Sequence, residues 1–174
     1  AEALQEEINR LKTMFKSDVV NLIGYSMGGV IAQYLLEKMA PTDMVRSVKH
    51  VVSLGTGFLG AQGVETLKNL WIPRHPGKPV PKIFDELTTW NMNVVKRSKD
   101  IAFHSILTIW DFMVHYRKGL LDPSSSAGMV ENYILDDPAI DHLTLVLNHK
   151  VFRQIESILS GNLARSGSPS LLQA

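Results

Sequence analysis

A short apolar run, Val19-Val20-Asn21-Leu22-Ile23, ends on a glycine and is followed by apolar residues at helical spacing: Val30, Ile31, Tyr34, Leu35 and Met39. This junction restricts the fold more than any other feature of the chain. The run is β-branched at both ends and bounded by turn residues, which marks a buried strand, and the period then switches from strand to helix. Upstream, Leu4, Ile8, Leu11 and Phe15 define an amphipathic helix broken at Lys16-Ser17-Asp18. Downstream, Pro41 ends the second helix. Residues 48–54, 106–110 and 130–135 read as three further strands, the second of the four stopping at Gly55-Thr56-Gly57. Val151, Phe152, Ile155, Ile158 and Leu159 mark a last amphipathic helix. Strands alternating with helices predict an α/β fold, a mostly parallel sheet with helices on both faces. Each gap is long enough for the crossover that parallel strands require.

Two stretches depart from this alternation. Residues 60–105 hold Trp71-Ile72-Pro73, Pro76, Pro79 and Pro81, then Phe84, Leu87, Trp90 and Val94 at helical spacing. They read as a cap-like insertion. Residues 161–174 are rich in Ser and Gly and read as a flexible tail. The expected organisation is one domain over residues 1–160, with the insertion inside it. At 174 residues with 45% apolar side chains the chain can build a core. A net charge of +1 offers no basic excess to a phosphate backbone, so nucleic acid is not an expected partner. The absence of cysteine excludes disulfides, thiolate catalysis and cysteine-based zinc sites. No metal or cofactor is called for, and no apolar run is long enough to span a bilayer.

Between the first strand and its helix stands Gly24-Tyr25-Ser26-Met27-Gly28, a G-x-S-x-G string in the strand–turn–helix setting of a nucleophile elbow. The turn is sharp, so glycines are expected at 24 and 28 to remove collisions with neighbouring backbone. Ser26 is held at a helix N-terminus, and the N–H of Met27 is expected to form half of an oxyanion hole. A serine nucleophile needs a base and an orienting acid, in chain order Ser, acid, His, each just past the C-terminal end of a strand. Of the six histidines, His50 lies inside a strand, His75 in the Pro-rich connection, and His104 before a strand. His115 follows a strand but has no acid candidate between its strand and the preceding one. His142 follows the last strand and precedes the last helix, which is the expected place, with His149 as the fallback. Asp111, at the end of residues 106–110, is the first choice of acid and Asp122 the second. Asp136, Asp137 and Asp141 read as turn and cap residues.

These segments resemble the serine lipases and esterases of the α/β-hydrolase superfamily. Val20-Asn21-Leu22-Ile23-Gly24-Tyr25-Ser26-Met27-Gly28-Gly29 is similar to the V-x-L-I-G-H-S-M-G-G elbow of bacterial lipases, with Tyr25 in place of the commoner His. Ser53-Leu54-Gly55-Thr56-Gly57-Phe58-Leu59-Gly60 resembles the G-T-P-H-x-G segment, with Gly57 and Phe58 replacing Pro and His. Asp111-Phe112-Met113-Val114 resembles the acid-bearing D-G-x-V segment without its Gly, and Asp141-His142-Leu143-Thr144-Leu145 the D-H-x-x-L segment.

The resemblance implies carboxylic-ester hydrolysis through an acyl-enzyme, with Ser26 as nucleophile, His142 as base and Asp111 as acid. The substrate would be an ester or lipid. Tyr25, Phe58, Trp71 and Trp90 would be candidate substrate contacts, and residues 60–105 a cap over the site. The lipase resemblance leans toward an extracellular or periplasmic setting and leaves a cytoplasmic one open. It also implies strands and an H-G loop upstream of the elbow, the loop giving the second oxyanion N–H. No H-G pair precedes Val19, the chain has no initiator Met, and its first segment reads as a mid-domain helix. The chain is therefore expected to be the C-terminal part of a hydrolase domain lacking its first strands. Its partner would be the upstream half of the domain, or a second sheet edge in self-association. Two alternatives share these residues: an acyltransferase, in which an alcohol captures the acyl group, and a catalytically silent remnant that binds lipid or a partner.

Overall fold

The computed structural model describes residues 1–58, 68–69, 73, 76–79, 85–87, 90, 92, 94–96, 98, 100–125 and 130–161. Helix α1 (Glu2–Phe15) ends where Lys16 adopts the left-handed conformation. Strand β1 (Val20–Tyr25) leads directly into α2 (Met27–Tyr34), which continues as a π-helical turn over Leu35–Met39. A short helix, α3 (Thr42–Ser47), precedes β2 (Val48–Leu54). Strands β3 (Ala102–Thr108) and β4 (Val130–Leu135) follow, then α4 (His149–Ser160). Among the described residues the four strands form one sheet in the order β1-β2-β3-β4, every neighbouring pair parallel.

The period-two alternation of the strands sorts the core into two layers. Leu22, Val51 and Phe103 face a cluster that includes Ile8 of α1, Val30 of α2, and Met44 and Val45 of α3. Val52, Leu54, Ile106 and Tyr133 face a second cluster with Ile140, Leu145, Val151, Ile155 and Ile158. Helices thus cover both faces, as the alternating pattern predicts. β1 lies at one edge of the sheet, with Asn21 and Ile23 exposed.

One sequence expectation needs correction. The third strand begins at Ala102 and ends at Thr108, not at residues 106–110, so the insertion stops before 105 and His104 lies within a strand rather than ahead of one. The apolar run starts late because this strand, buried along its whole length, carries polar side chains whose partners are remote in sequence. The Ser105 hydroxyl donates to the Gly119 carbonyl at 2.7 Å and that of Thr108 to the Ile140 carbonyl at 2.7 Å. Satisfied in this way, they cost little to bury. Between Pro41 and β2 stands α3, a helix of six residues that no apolar period in the sequence marks.

Several described residues of the insertion are tied to α2 and its π-helical extension. Gln33 Nε2 donates to the Met92 carbonyl at 2.6 Å, and Tyr34 to Glu86 at 2.7 Å. Glu37 accepts the N–H groups of Lys96 and Ser98. Trp71 lies outside the described residues, as do residues 162–174 of the expected tail.

A polar group crosses β2, β3 and β4. His104 is 1% exposed, and its Nε2 lies 3.2 Å from His50 Nδ1. Its Nδ1 is 3.2 Å from Glu131 Oε2, which also accepts from the Tyr133 hydroxyl. Burial pushes the His104 imidazole below its ordinary value, against the pull of Glu131, and His50 is pushed the same way by burial and by Lys49. The unfolded chain therefore binds more protons than the folded one as pH falls below about 6.5, the ordinary histidine value. This contribution to stability is complete above that pH and is lost below it. The urea midpoint is expected to drop between about pH 7.5 and about pH 5, and to drop less in His104→Gln. Equal pH slopes for the two proteins would contradict this account.

Candidate active site

The elbow is built by the collision of β1 with α2. A Cβ at Gly24 would lie 2.5 Å from the Gly29 nitrogen and 2.6 Å from the Gly28 carbonyl carbon, so only glycine fits there. Gly28 is different: a Cβ there would meet nothing within 4 Å. The second crowded position is Gly29, where a Cβ would stand 2.2 Å from Thr56 Oγ1 and 3.0 Å from Ser53 Cβ. The expected collision thus moves by one residue, because the helix lays Gly29, not Gly28, against β2.

Ser26 takes φ 51° and ψ −118°, a region sparsely populated by residues with a side chain. Three bonds hold it there. Its N–H donates to the Leu54 carbonyl at 2.8 Å, and its carbonyl accepts from Thr56 Oγ1 at 2.9 Å and from the Gly29 N–H at 3.2 Å.

Ser26, Asp111 and His142 meet at the C-terminal end of the sheet. His142 Nε2 is 3.1 Å from Ser26 Oγ, and His142 Nδ1 is 2.7 Å from Asp111 Oδ2. The Asp111 and His142 side chains are each 2% exposed. Asp111 follows the turn that ends β3, and its Oδ1 accepts from the N–H groups of Met113 at 2.8 Å and Val114 at 2.6 Å. One carboxylate oxygen is therefore fixed by backbone, which aims the other at the histidine. The loop carrying His142 is anchored at Ile140 by Thr108.

The other candidates lie elsewhere. Asp122 accepts from the N–H and hydroxyl of Ser124. Asp136 accepts from Trp110 Nε1, Asp137 pairs with Lys150, and Asp141 accepts from Thr144. His149 opens α4. Met27 is the first residue of α2, with its side chain exposed.

Two of the expected substrate contacts touch the first apolar cluster: Phe58 lies in it and half-buried Trp90 packs against it. Phe58 is 3% exposed within the first apolar cluster, and Trp90 stacks edge-on to Tyr34 with Lys38 over its ring. Tyr25 reaches His142 rather than open space: its hydroxyl donates to the His142 carbonyl at 2.9 Å.

Sequence reasoning missed Gly55 and Thr56. Gly55 has φ 55°, and a Cβ there would lie 3.2 Å from His142 Nδ1 and 3.3 Å from Asp111 Oδ2. The Gly55-Thr56-Gly57 string at the end of β2 was the available signal. Among the described residues no group of three or more His, Asp or Glu could hold a metal ion, and no helix is long and apolar enough to cross a membrane.

A family model described as "Alpha/beta hydrolase of unknown function (DUF915)" matches residues 1–101. The chain belongs to this family. The matched part of the α/β hydrolase contains Ser26 and stops before Asp111 and His142. No curated protein matches at a significant level. Solved structures similar in fold include a gene product of Listeria innocua, at 19% identity and TM-score 0.59, the match covering 96% of this chain and 66% of that one. A Bacillus licheniformis lipase matches at 14% identity and TM-score 0.56, covering 90% of this chain and 71% of the lipase. A Pyrococcus furiosus esterase matches at 14% identity and TM-score 0.55, covering 92% and 60%. The chain spans just under two thirds of the length of the first such structures, 66%, 64% and 60%.

Proposed function

We propose that this α/β hydrolase chain carries the nucleophile, base and acid of a carboxylic-ester hydrolase. The observation that supports it is the continuous path from Ser26 Oγ through both ring nitrogens of His142 to Asp111 Oδ2. With Asp111 accepting from Nδ1–H, Nε2 is left as the acceptor for the serine proton. Ser26 Oγ attacks the ester carbonyl as His142 takes its proton, and the Met27 N–H faces the oxyanion that forms. Collapse of the tetrahedral intermediate expels the alcohol, which His142 protonates. Water then attacks the acyl-Ser26 ester and gives its proton to His142; the second tetrahedral intermediate collapses by breaking the bond to Ser26 Oγ, which takes the proton back from His142 as the carboxylic acid leaves.

Exposed Phe112 and Met113 follow Asp111, Leu143 follows His142, and Met27 follows Ser26, which suits an apolar acyl group in the substrate. The exposed edge of β1 suits pairing with further strands of the domain or with a second copy.

The test is labelling with a serine-reactive fluorophosphonate. The chain is expected to take the label and Ser26→Ala to take none. A folded chain without Ser26-dependent labelling would favour the silent-remnant alternative. Rates on p-nitrophenyl esters should rise with acyl length, and a flat series would remove the apolar acyl group from the proposal.

A further inference from the structure

The residue beside the nucleophile does more than fill the turn. Tyr25 is the last residue of β1 and pairs with Leu54, so its backbone is fixed in the sheet. Its ring packs against the second core cluster and lies 5.1 Å, centre to centre, from the His142 ring at 38°. Its hydroxyl donates to the His142 carbonyl at 2.9 Å, across 117 residues of sequence. That carbonyl belongs to the loop between β4 and α4, which Thr108 also ties to a strand through its bond to the Ile140 carbonyl.

We infer that Tyr25 is a positioning residue for the base, fastening the His142 loop to the elbow so that one turn presents the nucleophile and holds its partner. The inference rests on the hydrolase proposal for the role of His142. Its geometric content stands by itself. Removing the hydroxyl takes away a hydrogen bond that, beside that of Thr108 to Ile140, ties the loop to a strand, and it frees a carbonyl next to the imidazole. The distance at stake is that from Nε2 to Ser26 Oγ, where small misplacements are costly to turnover. Desolvation and the charges of Asp111 and Asp141 raise the phenol above its ordinary value, so Tyr25 stays a donor throughout the neutral range.

Tyr25→Phe keeps the ring and deletes only the hydrogen bond. It is expected to lower kcat on a p-nitrophenyl ester about three- to tenfold with KM unchanged, the size of one lost hydrogen bond expressed in the rate. The second readout needs no activity. The His142 Nδ1 proton, hydrogen-bonded to Asp111, should give a sharp downfield NMR signal in the wild type. In Tyr25→Phe it should broaden as the loosened loop admits exchange with water. A merely structural tyrosine would lower the urea midpoint without changing that line or the kcat-to-KM split. A Tyr25→Phe signal as sharp as the wild type, with unchanged kcat, overturns the inference. A wild-type chain that takes no fluorophosphonate at Ser26 overturns the hydrolase proposal instead, and the NMR comparison then decides by itself whether Tyr25 positions His142.

Discussion

Asp111→Asn is expected to lower turnover on an activated ester by roughly four orders of magnitude, while Asp122→Asn changes it by less than about twofold. The reason lies in how Asp111 is held. Its Oδ1 accepts two backbone N–H groups, from Met113 and Val114. In the asparagine variant the amide oxygen must take that place, because an NH2 group facing two donors has nothing to offer them. The NH2 is then turned toward His142 Nδ1. It can only donate, so Nδ1 must accept, and the proton moves to Nε2. A histidine protonated at Nε2 cannot take the proton of Ser26. The variant would thus keep the shape of the site and lose the tautomer. Asp122 instead accepts from the N–H and the hydroxyl of Ser124. Steady-state hydrolysis by the two variants ranks them, and the reverse ranking would move the acid to Asp122.

The second large effect is on stability. Gly24→Ala is expected to cost more than about 3 kcal/mol and Gly29→Ala less, while Gly28→Ala is neutral or stabilising by up to about 1 kcal/mol. The Cβ at 24 would press on backbone atoms of Gly28 and Gly29, which cannot rotate away. At 29 the obstacle is the Thr56 side chain, which can turn if it gives up its bond to the Ser26 carbonyl. At 28 there is open space, and alanine suits a helix better than glycine. Urea unfolding of the three variants measures the order. Equal losses at 24 and 28 would mean that the elbow is not the constraint described.

The junction of β1 and α2 was legible because two local signals coincide there: an apolar run and a period change around a serine flanked by glycines. His142 and Asp111 were legible from chain order and strand ends. What escaped the sequence shares one physical cause. The beginning of β3 was hidden by Ser105 and His104, polar residues whose partners, Gly119, His50 and Glu131, lie on other parts of the chain. Gly28 and Gly29 stand side by side in sequence, and only the packing of α2 against Thr56 separates their roles. Tyr25 looked like a substrate contact because its acceptor is a carbonyl 117 residues away. Phe58 and Trp90 show the same limit, since an aromatic side chain carries no local mark of whether it is buried, as Phe58 is, or half-exposed, as Trp90 is. Most of residues 60–105, with Trp71, lies outside the described residues.

The strands stand in the sheet in the order in which they occur in the chain. A ribosome releasing this polypeptide would deliver β1, β2, β3 and β4 one after another, each able to dock on the one before it. The serine arrives early, its acid later, and the histidine only after the fourth strand. Until that strand is seated, His142 does not stand beside Ser26 Oγ. In the proposed hydrolase, the nucleophile would therefore gain its base only at the step that closes the last layer of the core.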